Sequence, residues 1–259
     1  MSQEFRLEEI LEIARLDGRV RVEALAEHFG VTVQTIRRDL AELDEAGRLQ
    51  RVHGGAILRS GSNNIAYRAR RSLQAGAKRA IALACAEAIP DNASVFLNIG
   101  TTTEAVAEAL RPRAGLMVIT NNMNVANILS ANPDIRVIVT GGALRHGDGG
   151  LTGNLTETTI RQFKFDLAVI GCSALDEDGD ILDYDIAEVG VSRTIIAQSR
   201  QTWLVADHSK LQRAAPARIA SLAEIDALFT DAALPAPLTG RCAEWNTRLI
   251  IAPTKEEEG

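Results

Sequence analysis

The stretch Val31–Ala56, VTVQTIRRDLAELDEAGRLQRVHGGA, decides how the N-terminal part of this chain folds. After Thr32, a residue type that caps helices, apolar side chains recur at helical spacing and share one face. These side chains are Ile36, Leu40 and Leu43. Gln34, Arg37 and Arg38 point to the opposite side, because a helix turns by about 100° per residue. The pattern predicts a helix whose exposed face is basic and rich in hydrogen-bonding groups.

Two more helices are predicted before this stretch and a hairpin is predicted within it. Apolar residues recur at helical spacing over residues 6–16 and again over residues 22–29. The second helix ends at Gly30, since glycine tolerates the left-handed conformation after a helix. A Gly-Gly pair between the two apolar runs of residues 49–58 predicts a hairpin turn. Three helices followed by a hairpin describe a winged helix-turn-helix.

The exposed face of the third helix suits the major groove of DNA, which accepts one helix and is read by amide and guanidinium groups. Candidates for base or phosphate contact are Thr32, Gln34, Thr35, Arg37 and Arg38. On or beside the wing, Arg48, Arg51 and His53 are expected to contact the backbone. The alternative is a solvated helix face with a structural hairpin, in which Arg38 pairs with Glu42.

The same stretch resembles the DeoR family of bacterial transcriptional repressors, in which TIRRDL lies in the recognition helix and RVHGGA forms the wing. The resemblance places Thr35, Arg37, Arg38 and Asp39 at recognition-helix positions. It places four residues in the wing: Arg51, His53, Gly54 and Gly55. Because the carboxylate of Asp39 would repel phosphate, we expect Asp39 to brace an arginine instead of contacting DNA.

Composition narrows the function class. The formal net charge is −6, which argues against a uniformly basic DNA-coating protein, yet residues 46–79 contain eight Arg or Lys residues and no acid. The three cysteines are far apart and without nearby histidines, so we expect reduced thiols, no zinc site and no other cofactor. Neither a membrane span nor a secretory signal is apparent, which predicts a cytoplasmic protein.

The pattern changes after a polar segment that we interpret as a linker. Short apolar runs without strict alternation are separated by helical patterns, which predicts a doubly wound, largely parallel α/β domain. The predicted strands are 94–99, 116–120, 136–140, 167–170, 202–206 and 227–230, with one further possible strand at 249–252. The predicted division is a winged helix-turn-helix over 1–58, a linker over 59–76, an α/β effector domain over 77–238, and a C-terminal segment with an acidic tail over 239–259.

Loops after several predicted strands suit a ligand site, because ligands of open α/β sheets bind at the carboxyl ends of strands. Gly100 and the hydroxyls of Thr101, Thr102 and Thr103, at the start of a helix, can hold an anion. The plainer interpretation is that Thr102 only caps that helix. Other candidates after strand ends are Asn121, Asn122, Gly141, Gly142 and Lys210.

This half also resembles the DeoR family, whose effector domain is similar in fold to ribose-5-phosphate isomerase and glucosamine-6-phosphate deaminase. The segments IGTTTEAVAEAL, VITNNMNVANIL, GGALRHGDGGLTG, ILDYDIAEV and DHSK are most similar to members that respond to glycerol 3-phosphate. The resemblance implies sn-glycerol 3-phosphate as effector, a phosphate loop at Gly100–Thr103, and ligand contact by Lys210. Four acids are candidates for holding hydroxyl groups: Asp148, Asp183, Asp185 and Glu188. Asn98 and Leu211-Gln212 depart from the family pattern.

The main alternative is an active sugar-phosphate isomerase or deaminase with a DNA-binding appendage. Such chemistry needs a base beside an acidic carbon of the substrate. The resembling isomerases carry carboxylates after a strand where this chain has GCSAL at Gly171–Leu175. We therefore expect no catalytic residues. We expect instead a repressor of operator DNA, at least dimeric and by resemblance tetrameric, that is released by a phosphorylated metabolite.

Overall fold

A winged helix-turn-helix forms the N-terminal part of the computed structural model, which describes residues 3–17, 19–52, 54–58 and 67–253. Its elements in chain order are α1 (Gln3–Asp17), β1 (Arg19–Arg21), α2 (Val22–Phe29), α3 (Val33–Glu45), β2 (Leu49–Val52) and β3 (Gly55–Leu58). The strands form an antiparallel sheet in the order β1-β3-β2. The apolar faces of α1, α2 and α3 and of this sheet bury one common core. The predicted fold of this part is confirmed.

The local signals around α3 act as predicted. Gly30 ends α2 in the left-handed conformation, with φ of 63°, and the Thr32 hydroxyl accepts a hydrogen bond from the Thr35 amide at 3.2 Å. The hairpin turn differs from the prediction in one detail, because Gly55 is not in the turn but is the first residue of β3 and pairs with Val52. A Cβ atom at Gly55 would collide with the carbonyl of Val20, so the close approach of β1 requires glycine there.

Asp39 braces an arginine, as predicted. Its carboxylate is buried and accepts two hydrogen bonds from Arg6, at 2.6 Å from Nε and 3.0 Å from Nη2. This fork-to-fork pair ties α1 to α3 from beneath the recognition face. Glu42, the alternative partner considered for Arg38, accepts a hydrogen bond from Gln3 Nε2 at 2.8 Å.

An α/β domain follows. Its helices are α4 (Tyr67–Ser72), α5 (Ala75–Ala88), α6 (Thr101–Leu110), α7 (Met123–Leu129), α8 (Asn154–Ile160), α9 (Ile186–Ala197) and α10 (Ala236–Glu244). Its strands are β4 (Ser94–Leu97), β5 (Met117–Thr120), β6 (Arg136–Val139), β7 (Ala143–Leu144), β8 (Leu151–Thr152), β9 (Phe165–Ile170), β10 (Ala174–Leu175), β11 (Asp180–Asp183), β12 (Ser199–Val205), β13 (Ala217–Ser221), β14 (Ala227–Thr230) and β15 (Arg248–Ile251). Short 3-10 helices occupy His208–Gln212 and Leu222–Glu224.

Seven parallel strands form the central sheet, in the order β15-β14-β12-β9-β4-β5-β6. Both faces of this sheet are covered. In β4, Val95 and Leu97 pack into the cluster beneath α5, α6 and α7, whereas Phe96 packs into the opposite cluster with α8, α9 and α10. Burial on both faces explains why the strands lack strict alternation, and the predicted doubly wound fold is confirmed.

Two features differ from the sequence-based prediction. Helix α4 lies inside the segment that we interpreted as a linker without periodicity, since six residues are too few to show a helical pattern. The segment 239–259, predicted to follow the α/β domain, contributes a strand to its sheet, because β15 pairs with β14 along its whole length. At this edge of the sheet both faces of β15 are only partly buried, Ile250 against one core cluster and Leu249 against the other.

Asp39→Ala should destabilise the winged helix by about 3 kcal/mol, because it leaves the buried Arg6 guanidinium without its counter-charge. Hydrogen exchange of the α3 amides and urea unfolding measure the loss. The control Glu45→Ala changes an exposed acid on the same helix and should leave both unchanged. Equal protection in the two variants would contradict the role given to Asp39. The paired change Arg6→Met with Asp39→Leu should recover much of the loss.

Candidate functional site

The candidate DNA-binding surface is the outer face of α3 together with β2 and the hairpin turn. Gln34, Arg37 and Arg38 are exposed, whereas Thr32 and Thr35 bond to each other through their hydroxyls at 2.9 Å. Three further members of the predicted surface are exposed on the wing or next to it: Arg48, Arg51 and Gly54. Gly55 is buried in β3. His53 lies outside the described residues. The structure brings a basic face and a wing to the surface, and DNA contact by these residues stays a prediction.

The loop between β4 and α6 was predicted to hold a phosphate. Gly100 precedes the helix with φ of 152°, and α6 begins at Thr101, so Thr102 is not the cap. The Thr103 hydroxyl is buried and lies 2.7 Å from the carbonyl of Asn98, to which it donates. Thr101 is half-buried. The loop has the expected form, although the Thr103 hydroxyl already serves its own backbone.

The candidate residues after β5 and β6 mainly hold loops in place. Asn122 caps α7 by accepting from the Asn124 amide at 2.8 Å, and it donates to Glu104 at 3.2 Å. Asn121 donates to the carbonyl of Leu151 at 3.1 Å, while its Oδ1 is buried without a partner among the described residues. Gly142, with φ of 141°, packs so closely on Thr152 and Thr156 that no Cβ would fit. The preceding Gly141 accepts through its carbonyl from the Thr156 hydroxyl at 2.7 Å.

An arginine that the sequence did not single out gathers three of the four candidate acids. Arg145 contacts Asp148 at 2.6 and 2.9 Å, Asp185 at 2.7 Å and Glu188 at 2.6 Å. Burial and the nearby Asp183 raise the pKa of Glu188 to about 7, against the pull of Arg145. Because these carboxylates already serve Arg145, they are poorer hydroxyl acceptors than the sequence suggested.

The fourth acid, Asp183, ends β11 and has its own partners. It accepts from the Ser173 hydroxyl at 2.8 Å and from the amides of Tyr184 at 2.7 Å and Asp185 at 3.1 Å. These bonds fix the loop that leads into α9. Asp183 is buried and lies close enough to Glu188 to raise its pKa, but within the described residues it forms no ion pair with Arg145.

Lys210 is the most isolated of the candidate ligand-binding residues. It lies in the 3-10 helix capped by Asp207, which accepts from the Ser209 amide at 3.1 Å. The residue is buried, with 7% exposed, and within the described residues its ammonium forms no hydrogen bond, although the charge of Asp207 attracts it. Burial and the neighbouring Arg213 lower the pKa of Lys210. A buried ammonium without a hydrogen bond indicates a place for an anion.

Three more cations surround Lys210. Arg213 is the extended residue directly after the 3-10 helix, and its charge acts on Lys210. Arg213 Nε and Arg70 Nε are both buried without a partner in the described part of the chain. Lys78 donates to the carbonyls of Arg70 and Leu73, the latter at 2.6 Å. Burial lowers the pKa of Lys78 to about 8, with Lys210, Arg213 and Arg70 adding to the effect and Asp207 opposing it.

Sequence reasoning missed this cluster for two reasons. Arg213 lies just after the 3-10 helix in extended conformation, so helical spacing to Lys210 could not have found it. Arg70 and Lys78 were counted in a basic stretch that would attract DNA, whereas the structure turns both toward the α/β domain. Charge along a sequence does not show which way a side chain turns.

The arrangement suits binding of a small anion. Arg70, Lys78, Lys210 and Arg213 outnumber Asp207, the acid that interacts with them most directly. Across residues 3–17, 19–52, 54–58 and 67–253, no cluster of His, Cys, Asp and Glu has the arrangement to hold a metal ion. The helices of those residues also lack the length and apolar character of a membrane span. Cys85, Cys172 and Cys242 are free thiols.

Comparisons with known proteins agree with both halves of the chain. The model of the DeoR-like helix-turn-helix domain matches residues 6–61, and that of the DeoR C terminal sensor domain matches residues 73–232. A glycerol-3-phosphate regulon repressor of Escherichia coli (strain K12) is 45% identical over 91% of this chain and 93% of its own length. The protein of the same name from Haemophilus influenzae is 41% identical over 98% of this chain and 99% of its own length.

Solved structures give more distant likenesses. Ribose 5 phosphate isomerase A from Neisseria gonorrhoeae is 16% identical with a TM-score of 0.38, over 52% of each chain. For eIF2B beta from Chaetomium thermophilum the identity is 16% and the TM-score 0.47, over 66% of this chain and 53% of that one. These likenesses are too distant to indicate function.

Anion affinity should fall as the pH rises above about 8, because Lys78 and Lys210 have lowered pKa values and must be protonated to attract an anion. Each lysine that deprotonates adds a slope of up to roughly tenfold per pH unit. Calorimetry with sulfate, which does not titrate in this range, measures the fall. Lys78→Arg stays charged and should give a shallower slope. An affinity independent of pH would contradict the assignment.

Proposed function

Because this chain belongs to the DeoR family of transcriptional regulators, we propose that it is a DNA-binding repressor released from its operator by a small phosphorylated metabolite. The observation that carries the proposal is the buried Lys210 beside Arg213, whose Nε is buried without a partner among the described residues, in the same chain as an exposed basic recognition helix. One part suits the phosphates and bases of a duplex, and the other suits a single phosphate.

The DNA-binding half is proposed to read the major groove with α3 and the backbone with the wing. Arg37 and Arg38 are exposed on α3 and free to approach guanine or phosphate, while Gln34 can pair with adenine. The Arg6–Asp39 pair fixes the inner side of the helix, so the outer side is presented in one orientation. Winged helices usually bind symmetric half-sites, which supports a dimer or a tetramer.

The effector is proposed to be sn-glycerol 3-phosphate. Support comes from two relatives, at 45% and 41% identity, that are named as repressors of the glycerol-3-phosphate regulon. Lys210, aided by the Gly100–Thr103 loop, would receive the phosphate, and the residues nearby would enclose the glycerol part. Those residues are Asn121, Asn122, Gly141, Gly142, Asp148, Asp183, Asp185 and Glu188.

The α/β domain is proposed to be a sensor and not a catalyst. Isomerisation of a sugar phosphate needs a free base beside the substrate. The loop Gly171–Leu175 after β9 carries no acid. Three carboxylates of the crevice, the proposed ligand site at the carboxyl ends of the strands, already accept hydrogen bonds from Arg145. We propose a winged helix over 1–58, a linker over 59–76 and a sensor from 77 that includes β15. The place of action is the cytoplasm, where operator DNA lies.

Arg38→Ala should weaken operator binding by about 10- to 100-fold, because a base or phosphate contact of the guanidinium is lost. Fluorescence anisotropy with a duplex selected from a random-sequence pool measures the affinity. Arg111→Ala removes an exposed arginine of the sensor domain and serves as the control. Calorimetry should show glycerol 3-phosphate binding unchanged in both variants. Normal operator affinity of Arg38→Ala would show that the assigned recognition face is wrong.

Lys210→Met should give a repressor that binds its operator but is not released by glycerol 3-phosphate. Methionine keeps most of the side-chain volume and removes the charge, so effector affinity should fall about 10- to 100-fold while the fold persists. The release of a labelled duplex is followed by anisotropy as the ester is added. Lys164→Met, at an exposed position, should respond like the parent protein. Normal release of Lys210→Met would place the phosphate elsewhere.

A further inference from the structure

Helix α4 (Tyr67–Ser72) lies between the winged helix and the sensor sheet in the chain, and it packs on the crevice. The Tyr67 hydroxyl donates to Glu104 Oε2 at 2.7 Å and accepts from Asn124 Nδ2 at 2.9 Å. Asn124 also donates to the carbonyl of Asp148 at 2.9 Å. One end of α4 is therefore bonded directly to residues that follow two different strands of the sensor domain, β4 and β5.

Arg70 anchors the other end of α4, and its pairing is incomplete. Its Nη2 lies 3.4 Å from Asp148 Oδ2, an oxygen that Arg145 already holds at 2.6 Å. Arg70 Nε is buried without a partner within the described residues. The guanidinium therefore keeps donors that a better acceptor could use, and its present partner is shared with a stronger competitor.

The neighbours of Arg70 are the cations of the proposed phosphate site. Lys78 donates to the carbonyls of Arg70 and Leu73, which fixes the last turn of α4 beside that site. Lys210 and Arg213 lie close enough that their charges and that of Arg70 act on one another. These like charges repel one another, and because Arg70 is one of them, the repulsion acts on helix α4.

We propose that Arg70, which lies in the linker, is an effector-binding residue. Its guanidinium releases Asp148 and binds the phosphate monoester held by Lys210 and Arg213. A guanidinium prefers a bidentate bond to a phosphate dianion over a shared, long contact to a carboxylate. Its transfer draws α4 toward the pocket. The inference rests on the proposed function, since it assumes that a phosphate ester is the effector.

This transfer gives the effector a direct mechanical connection to the DNA-binding half. The winged helix ends at β3, and α4 is the first described element after it. A ligand changes operator affinity only if it binds one arrangement of the protein better than the other. Arg70 provides that preference, because its guanidinium can bond to Asp148 or to the phosphate, and only the second arrangement holds the ester. Arg70 should therefore contribute both to effector affinity and to the coupling between the two ligands.

Arg70→Gln and Arg71→Gln form a matched pair, because Arg71 is the next residue of α4 and is exposed. Calorimetry with glycerol 3-phosphate, with and without saturating operator duplex, gives the effector affinity and the coupling ratio. Arg71→Gln should match the parent protein. Arg70→Gln should bind the ester about 10- to 100-fold more weakly, and its coupling ratio should fall toward one. Arg70→Lys keeps the charge but not the planar fork, and should recover affinity in part.

Three results would overturn the inference. The first is equal affinity and coupling in Arg70→Gln and Arg71→Gln. The second is a weaker affinity of Arg70→Gln with full release of the operator once the ester saturates the protein. The third appears in the parent protein, if neither glycerol 3-phosphate nor inorganic phosphate binds, and only this result also refutes the proposed function. An unfolding temperature equal to that of the parent protein shows that the fold of each variant is intact.

Discussion

The central constraint on this protein is the burial of like charges at the carboxyl edge of its sheet. Lys210 projects from a 3-10 helix, Arg213 from the position directly after it, Lys78 from α5 and Arg70 from α4, and the adjacent Asp207 neutralises only part of their charge. Folding tolerates such an arrangement at a cost in stability, because each buried charge loses its hydration. A bound anion would remove much of that cost. Ligand affinity and the cost of burying these charges therefore have the same origin.

The carboxylates of the crevice lead to a complementary conclusion. Arg145 holds Asp148, Asp185 and Glu188 together, so oxygens of all three carboxylates are already hydrogen-bonded, although one guanidinium offsets only one of their charges. An effector that enters meets unpaired donors on one side and occupied acceptors on the other. This asymmetry favours a small molecule whose recognition depends mainly on its anionic group. Arg70 and Arg145 share one oxygen of Asp148, which connects the two sides through a single carboxylate.

Sequence reasoning succeeded where local chemistry decides the structure. Thr32 as cap, Gly30 as terminator and the buried side of α3 follow from the preferences of those residues, and Asp39 follows from the repulsion between carboxylate and phosphate. The parallel strands follow from apolar runs that are covered on both faces. Failures occurred where tertiary contacts decide. Strand β1 and helix α4 are too short for periodicity, and the inward turn of Arg70 depends on residues far along the chain.

A crystal structure of the protein with glycerol 3-phosphate tests the central claim most directly. We predict that the phosphate lies within hydrogen-bond distance of the Lys210 ammonium and the Arg213 guanidinium, which gives these buried cations an anionic partner. A phosphate bound elsewhere on the molecule, with Lys210 and Arg213 still unpaired, would contradict the claim.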